Sequence, residues 1–108
     1  MDPRLRAAID EITRNHSTKL LLPEVAARVG LSVRRLQQLF IEETGLTYIA
    51  YRRRLRMQLA ETLVKRSGKE VREITSEVGY KASAYFCREF KKARGCTTSR
   101  FRERVGKI

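Results

Sequence analysis

Two stretches of the chain each align side chains along the outward face of a predicted helix. Counting 100° per residue from Leu36, the outward side chains of the first stretch are Arg34, Gln38 and Ile41, with Gln37 beside them. Those of the second stretch are Ala84, Cys87, Arg88 and Lys91. A guanidinium group suits paired hydrogen bonds to guanine, and a carboxamide suits adenine. The pattern therefore indicates recognition of nucleic-acid bases rather than catalysis, the alternative being an ordinary solvated face.

Both stretches lie in a unit that the chain contains twice. Before each stretch, three pairs of residues are 49 positions apart: Val25 and Ile74, Val29 and Val78, Gly30 and Gly79. Beyond them four pairs are 50 apart: Phe40 and Phe90, Gly45 and Gly95, Thr47 and Thr97, Tyr51 and Phe101. One residue is therefore inserted after the first glycine of the second copy. A short helix with small inner residues, a glycine turn and a second helix with an apolar stripe make a helix-turn-helix.

The apolar spacing and the capping residues predict an all-α chain of about seven helices. We expect two helix-turn-helix subdomains, at about 1–46 and 70–105, joined by a long linker helix at about 48–65. The two outward stretches then lie on reading helices at about 33–44 and 82–94. Ser32 and Thr47 are predicted N-caps, and either Thr97 or Thr98 caps the last helix, which ends at about Arg104.

The aromatic residues of the repeat belong to the predicted core. Phe40, Tyr51, Phe90 and Phe101 are expected to pack inside rather than to stack on bases. The linker helix should pack through Tyr51, Leu55, Leu59 and Leu63, with Ile49, Ala60 and Val64 beside them. The second reading helix should pack through Ala82, Phe86, Phe90 and Ala93.

The charge balance favours a polyanionic partner. The 108 residues contain 24 Lys and Arg against 12 Asp and Glu, a formal net charge of +12, which favours association with nucleic acid or an anionic surface. No apolar run approaches the roughly 20 residues of a membrane span, and no signal peptide is visible. We therefore expect a soluble, cytoplasmic protein with no membrane partner. One histidine and no phosphate-cradling glycine loop argue against an enzyme.

The sequence predicts no metal site, cofactor or small-molecule pocket. Cys87, Cys96 and His16 are the only strong soft ligands, and their spacing makes no recognisable zinc site. We interpret both cysteines as ordinary thiols and His16 as an exposed residue of a polar bend.

At these residues the chain resembles the DNA-binding domain of the AraC/XylS family of bacterial transcription regulators. The resemblance covers about Leu20 to Arg104 and is most specific in residues 74–80 and 85–92 with Gly95, and in Ala26-x3-Gly30-Leu31-Ser32 followed by Leu36, Leu39, Phe40 and Gly45. It implies a sequence-specific regulator whose reading helices enter two adjacent major grooves of double-stranded DNA. The base-contacting residues that it implies are Arg34, Gln37, Gln38, Ser83, Ala84, Cys87 and Arg88.

Phosphate contacts are expected from cationic residues and a hydroxyl near the reading helices and the linker: Ser32, Arg35, Arg52, Arg53, Lys81 and Lys91. The arginines near the start of the linker either contact phosphates or are simply solvated; they are Arg52, Arg53, Arg54 and Arg56. Three residues depart from the family pattern, namely Gln38, Thr75 and Thr98, and the Thr75 hydroxyl must find a hydrogen-bond partner.

A monomer of this chain is expected to bind an asymmetric site of about 15–20 base pairs. RNA polymerase is a further candidate partner. The alternative interpretation is a basic module that binds nucleic acid without sequence preference or serves as a protein adaptor.

Overall fold

The computed structural model describes residues 1–15 and 21–106, the last two of them by their backbone alone. Over these residues the chain forms seven α-helices and no strand: α1 (Pro3–Arg14), α2 (Leu22–Val29), α3 (Val33–Thr44), α4 (Tyr48–Arg66), α5 (Val71–Glu77), α6 (Ser83–Arg94) and α7 (Thr98–Gly106). The predicted all-α class with about seven helices is confirmed, and the helix ends agree with prediction to within two residues. His16 lies outside the described residues.

Side-chain caps begin four of the helices. Asp2 precedes Pro3 and its Oδ1 accepts a hydrogen bond from the backbone N–H of Arg4 at 2.8 Å. The Ser32 hydroxyl accepts from the N–H of Arg35 at 3.1 Å. Thr47 and Thr97 each accept, at 3.2 Å, from the N–H three residues later. Thr97 rather than Thr98 therefore caps α7, and the cap of α4 is confirmed.

The glycine turn has the same hydrogen bonding in both copies. Gly30 and Gly79 have φ values of +74° and +91°, a region that favours glycine. The N–H of the next residue then bonds back across the turn, over 2.9 Å from Leu31 to the Ala26 carbonyl and over 3.0 Å from Tyr80 to the Thr75 carbonyl. The inserted residue of the second copy therefore lies after this closed turn, before the N-cap of α6.

The chain divides into two compact units, Met1–Leu55 and Arg56–Ile108. α4 contributes its first part to unit 1 and its second part to unit 2. The core of unit 1 contains Leu5, Ala8, Ile12, Val25, Ala26, Leu36, Leu39, Phe40 and Tyr48. That of unit 2 contains Met57, Ala60, Val64, Ile74, Val78, Phe86 and Phe90. Each unit therefore has four helical segments around its own core.

The repeat extends to the first helical segment of each unit. The buried residues of α1, Leu5, Ala8 and Ile12, correspond at a constant separation of 52 to Met57, Ala60 and Val64 in α4. Aromatic packing repeats as well, because the ring centroids of Phe40 and Tyr51 and those of Phe90 and Phe101 are both 5.5 Å apart. Phe40 and Phe90 are fully buried, and Tyr51 and Phe101 are half-buried against the same cores, so the prediction that these four rings pack inside is confirmed.

Three predicted packing positions are wrong. Ile49 is 66% exposed, and Ala82 and Ala93 are exposed as well. Ala82 precedes α6 as its N-cap, with extended backbone, so the helical period does not apply to it. Ile49 lies at the edge of the apolar stripe of α4, and Ala93 lies in the last turn of α6, just before Gly95. At both places burial depends on whether a neighbouring helix covers the side chain. Conversely, Met57 and Tyr48 are buried core residues that the sequence prediction did not include.

The hydroxyl of Thr75 has the partner that its burial requires. Thr75 is 3% exposed, and its hydroxyl donates to the carbonyl oxygen of Val71 at 2.7 Å. A buried hydroxyl without a partner would destabilise the fold by roughly 1–3 kcal/mol. This departure from the family pattern is therefore accommodated within α5 itself.

Arg102 links α7 to the end of α4 within unit 2. Its Nε donates to the carbonyl of Val64 at 3.0 Å, and its Nη2 donates to the carbonyl of Lys69 at 2.6 Å. Carbonyls in the last turn of a helix have no partner inside the helix. The guanidinium therefore stabilises the end of α4 and the backbone that follows it.

We expect Ala82→Ser to raise the free energy of unfolding by about 0.5–1 kcal/mol. The backbone of Ala82 is extended and no side chain caps α6, whereas Ser32 caps α3 at the corresponding place. Urea unfolding followed by circular dichroism measures the change. The matched variant Ser32→Ala should lose about 1 kcal/mol. A loss in Ser32→Ala without a gain in Ala82→Ser would show that a serine at position 82 does not cap α6.

Candidate nucleic-acid interface

The outward face of α3 carries the predicted set of the first unit. Arg34, Gln37 and Gln38 are all exposed, while Leu36 and Phe40 on the opposite face are fully buried. Ser32 fixes the start of this helix through its cap, and the packing of Leu36 and Phe40 fixes its rotation. The three polar side chains therefore lie together on one solvent-facing stripe. Ile41, 55% exposed, continues the stripe by one turn.

Arg35 lies at the side of this face and interacts along α3. Its Nη1 is 3.5 Å from Oε1 of Gln38 and 3.6 Å from Oε1 of Glu42. Both the guanidinium and the Glu42 carboxylate are largely solvated, so the ion pair contributes little to stability. The side chain of Arg35 can therefore turn toward an external anion at small cost.

The outward face of α6 is less fully exposed than the prediction required. Ala84 and Arg88 are exposed, but Ser83 and Cys87 are half-buried. Cys87 packs against the core of unit 2, so the prediction that it faces away from the core is wrong. It lies one position from Phe86 along the helix, at the border of the buried stripe, where a cysteine is small enough to be partly covered. Both cysteines are free thiols.

Arg88 lies over the ring of Tyr85, a residue that the site prediction did not include. The guanidinium carbon is 5.7 Å from the ring centroid, and Tyr85 is 43% exposed. Such stacking contributes about 0.5–1 kcal/mol at an exposed site and restricts where the guanidinium points. The signal in the sequence was the i, i+3 spacing of an aromatic and a cationic residue on one helix.

The predicted phosphate-contacting residues occupy different surroundings. Arg53 of α4, Lys81 of the second turn and Lys91 of α6 are exposed. Arg52 is half-buried and makes an interaction within the protein. Ser32 is exposed, although its hydroxyl already accepts the cap hydrogen bond. The exposed cations are thus the best placed of this set to meet a phosphate.

The C-terminal end of α6 is anchored by an ion-pair cluster. Nε of Arg94 lies 2.6 Å from Oε2 of Glu61, at an angle unsuited to a hydrogen bond, and Nζ of Lys65 lies 2.9 Å from Oε1 of the same carboxylate. The hydrogen bond from Lys65, with the charge of Arg94, lowers the pKa of Glu61. Because the folded-state pKa is lowered, this stabilisation is present at neutral pH and is lost as acidification protonates Glu61.

The two reading helices differ in charge. α3 carries two arginines and two glutamates, whereas α6 carries four basic residues and one glutamate. The asymmetry extends to the units, since residues 1–55 hold 10 Lys and Arg against 6 Asp and Glu, and residues 56–108 hold 14 against 6. Unit 2 therefore offers the stronger attraction to a polyanion.

Other classes of site find no support in the part of the chain that the structure describes. No helix there is long and apolar enough to cross a bilayer. Within residues 1–15 and 21–106 no three His, Cys, Asp or Glu side chains come together as metal ligands would.

Comparison with known proteins assigns the double helix-turn-helix to a family. A family model described as a helix-turn-helix domain matches residues 25–104. The chain belongs to the AraC/XylS family. It corresponds to the DNA-binding domain of these regulators.

Two bacterial proteins are similar to all or nearly all of the chain, one in sequence and the other in sequence and fold. The RCS-specific transcriptional activator RclR of Escherichia coli is 30% identical over 108 residues, which are 100% of this chain and 38% of RclR. The C-terminal domain of AraT, a response regulator from Geobacillus stearothermophilus, is 30% identical with a TM-score of 0.86, covering 94% of this chain and 85% of that one.

A regulator with an AraC-type DNA-binding domain from Chromobacterium violaceum has the same fold. Its TM-score is 0.89 at 24% identity, covering 95% of this chain and 92% of that one. The chain spans between a third and two fifths of the length of the first curated relatives that it matches.

Proposed function

We propose that this chain binds a specific double-stranded DNA sequence as part of a transcription regulator, and that α3 and α6 are the helices that read its bases. The observation that carries the proposal is that the two units have corresponding structural residues but different residues on the exposed faces of α3 and α6. The glycine turns, the caps Thr47 and Thr97 and the aromatic core pairs correspond in the two units. The exposed faces of α3 and α6 do not.

The differing faces support two different half-sites for one monomer. Arg34, Gln37 and Gln38 of α3 correspond to Ala84, Cys87 and Arg88 of α6 at a separation of 50. Glutamine favours adenine and arginine favours guanine, at about 1–3 kcal/mol of discrimination for each good pair. The two half-sites should therefore have unrelated sequences within an asymmetric site of about 15–20 base pairs.

Selection of bound duplexes from a random pool tests this proposal. A regulator enriches one asymmetric sequence, and quantitative binding then shows a large affinity ratio over bulk DNA. Stoichiometry at the enriched duplex should be one protomer. A dyad-symmetric site that binds two protomers would contradict the proposal that one protomer binds the whole site. Failure to enrich any sequence would favour the basic non-specific module or the protein adaptor.

The salt dependence of binding distinguishes residues that contact phosphates from residues that recognise bases. We expect Arg53→Ala to weaken binding to all duplexes about equally and to reduce the slope of log affinity against log salt by about one, because Arg53 is exposed and would neutralise one phosphate. Fluorescence anisotropy over a series of salt concentrations measures the slope. An unchanged slope would show that Arg53 is only solvated. An altered base preference would show that Arg53 contacts a base.

We propose that RNA polymerase is a partner of the DNA-bound protein. Transcription from a promoter that carries the enriched site, with and without the protein, tests this and shows whether bound protein activates or represses.

A further inference from the structure

Ile41 is an exposed apolar side chain on the face of α3 that also bears Arg34, Gln37 and Gln38. It is 55% exposed, and it follows these residues by seven, four and three positions, which places all four on one stripe. At about 1.5 Å per residue the stripe is roughly 10 Å long. That length corresponds to about three base-pair steps of B-DNA.

The fold of unit 1 does not require an apolar residue at this position. Lys91 occupies the corresponding position of α6 and is also exposed, so the same scaffold accepts a charged side chain there. On α3 the buried core is built from Leu36, Leu39 and Phe40. An isoleucine that is more than half exposed adds little to it.

The acidic residues that follow Ile41 are directed to other partners. Oε1 of Glu42 is 3.6 Å from the Arg35 guanidinium. Oε1 of Glu43 accepts a hydrogen bond from the backbone N–H of Asp2 at 3.1 Å. Ile41 is therefore the apolar residue at the C-terminal end of the stripe.

We propose that Ile41 is a specificity-determining residue that contacts the 5-methyl group of a thymine in the half-site of unit 1. The inference rests on the proposed function and names a chemical feature of its DNA target. In the major groove the thymine methyl is the apolar group on the base edges, and aliphatic side chains recognise it by contact. The guanidinium and carboxamide groups elsewhere on the stripe recognise hydrogen-bonding edges instead. At the corresponding position the second unit has Lys91, an exposed cation predicted to contact a phosphate.

Replacement of thymine by deoxyuridine tests the contact, because it removes the methyl group and leaves base pairing intact. In the duplex enriched by selection, each thymine is replaced singly and affinity is measured by anisotropy. The half-site of unit 1 is identified as the one whose base preference Arg34→Ala weakens. For the unaltered protein we expect one replacement in that half-site to weaken binding about fourfold. Ile41→Ala should bind the thymine and deoxyuridine duplexes equally. Ile41→Val should keep most of the difference.

The matched variant Ile41→Lys copies the residue of the second unit. It should lose the response to deoxyuridine and increase the salt slope by about one, through a new phosphate contact. Circular dichroism shows that the variants are folded. If unaltered protein and Ile41→Ala respond identically to every deoxyuridine, the role of Ile41 is overturned while the proposed function stands. If no duplex is enriched at all, the proposed function itself fails.

Discussion

Arg88→Ala is expected to reduce discrimination at one base pair of the second half-site by about 5- to 150-fold. Arg88 is exposed on α6, and its guanidinium lies over Tyr85, which restricts its orientation before DNA arrives. A restricted planar group with two parallel N–H donors suits the two acceptors of guanine. Selection from a random pool with the variant should yield an unspecified base at one position and an unchanged first half-site.

The conservative variant Arg88→Lys separates base reading from charge. Lysine keeps the positive charge but not the paired donors, so the salt slope should stay near that of the unaltered protein while the base preference weakens. Arg72→Ala, which removes an exposed arginine from α5, should leave the preferred sequence unchanged. If Arg88→Ala selects the same sequence as the unaltered protein, α6 does not read that base through Arg88.

Arg102→Met is expected to lower the free energy of unfolding by about 2–3 kcal/mol. Methionine keeps an apolar stem but cannot donate to the carbonyls of Val64 and Lys69, which are 3.0 and 2.6 Å from the guanidinium nitrogens. Urea unfolding followed by circular dichroism measures the loss. Amide hydrogen exchange should increase most at the end of α4 and the start of α5.

Arg100→Met is the control on the same helix. Arg100 is exposed, and surface substitutions of this kind usually change stability by less than about 0.5 kcal/mol. Equal stability of the two variants would mean that water replaces the Arg102 guanidinium without cost. A loss confined to Arg102→Met would confirm that this arginine is structural, although its charge alone would have placed it among the phosphate contacts.

Local chemistry made most of the fold predictable. Ser32, Thr47 and Thr97 begin helices by accepting hydrogen bonds from nearby backbone N–H groups, and Gly30 and Gly79 adopt the positive φ that ends α2 and α5. These interactions connect residues within a few positions of each other, so a short segment of sequence contains both partners. The outward direction of Arg34, Gln37 and Gln38 was predictable for the same reason, since Leu36 and Phe40 define the opposite face. Their contact with bases stays a prediction.

Positions at the edge of an apolar stripe were not predictable. The helical period places Cys87 and Ile49 near a border, and Ala93 lies in the last turn of α6. Whether these side chains are covered depends on residues far away in the chain. Cys87 is half-buried against the core of unit 2, while Ala93 and Ile49 are exposed. Met57 is buried because the second part of α4 belongs to unit 2, where it has the place that α1 has in unit 1.

The sequence by itself determined the duplicated helix-turn-helix, its glycine turns and the polar face of α3, because caps, positive φ and helical periodicity are local properties. Only the tertiary structure decided that Arg102 holds the end of α4, that Cys87 is partly covered and that Met57 is buried. These properties depend on which atoms approach a side chain from another helix. Packing brings together residues such as Val64 and Arg102, which are 38 positions apart, and no local pattern specifies that contact.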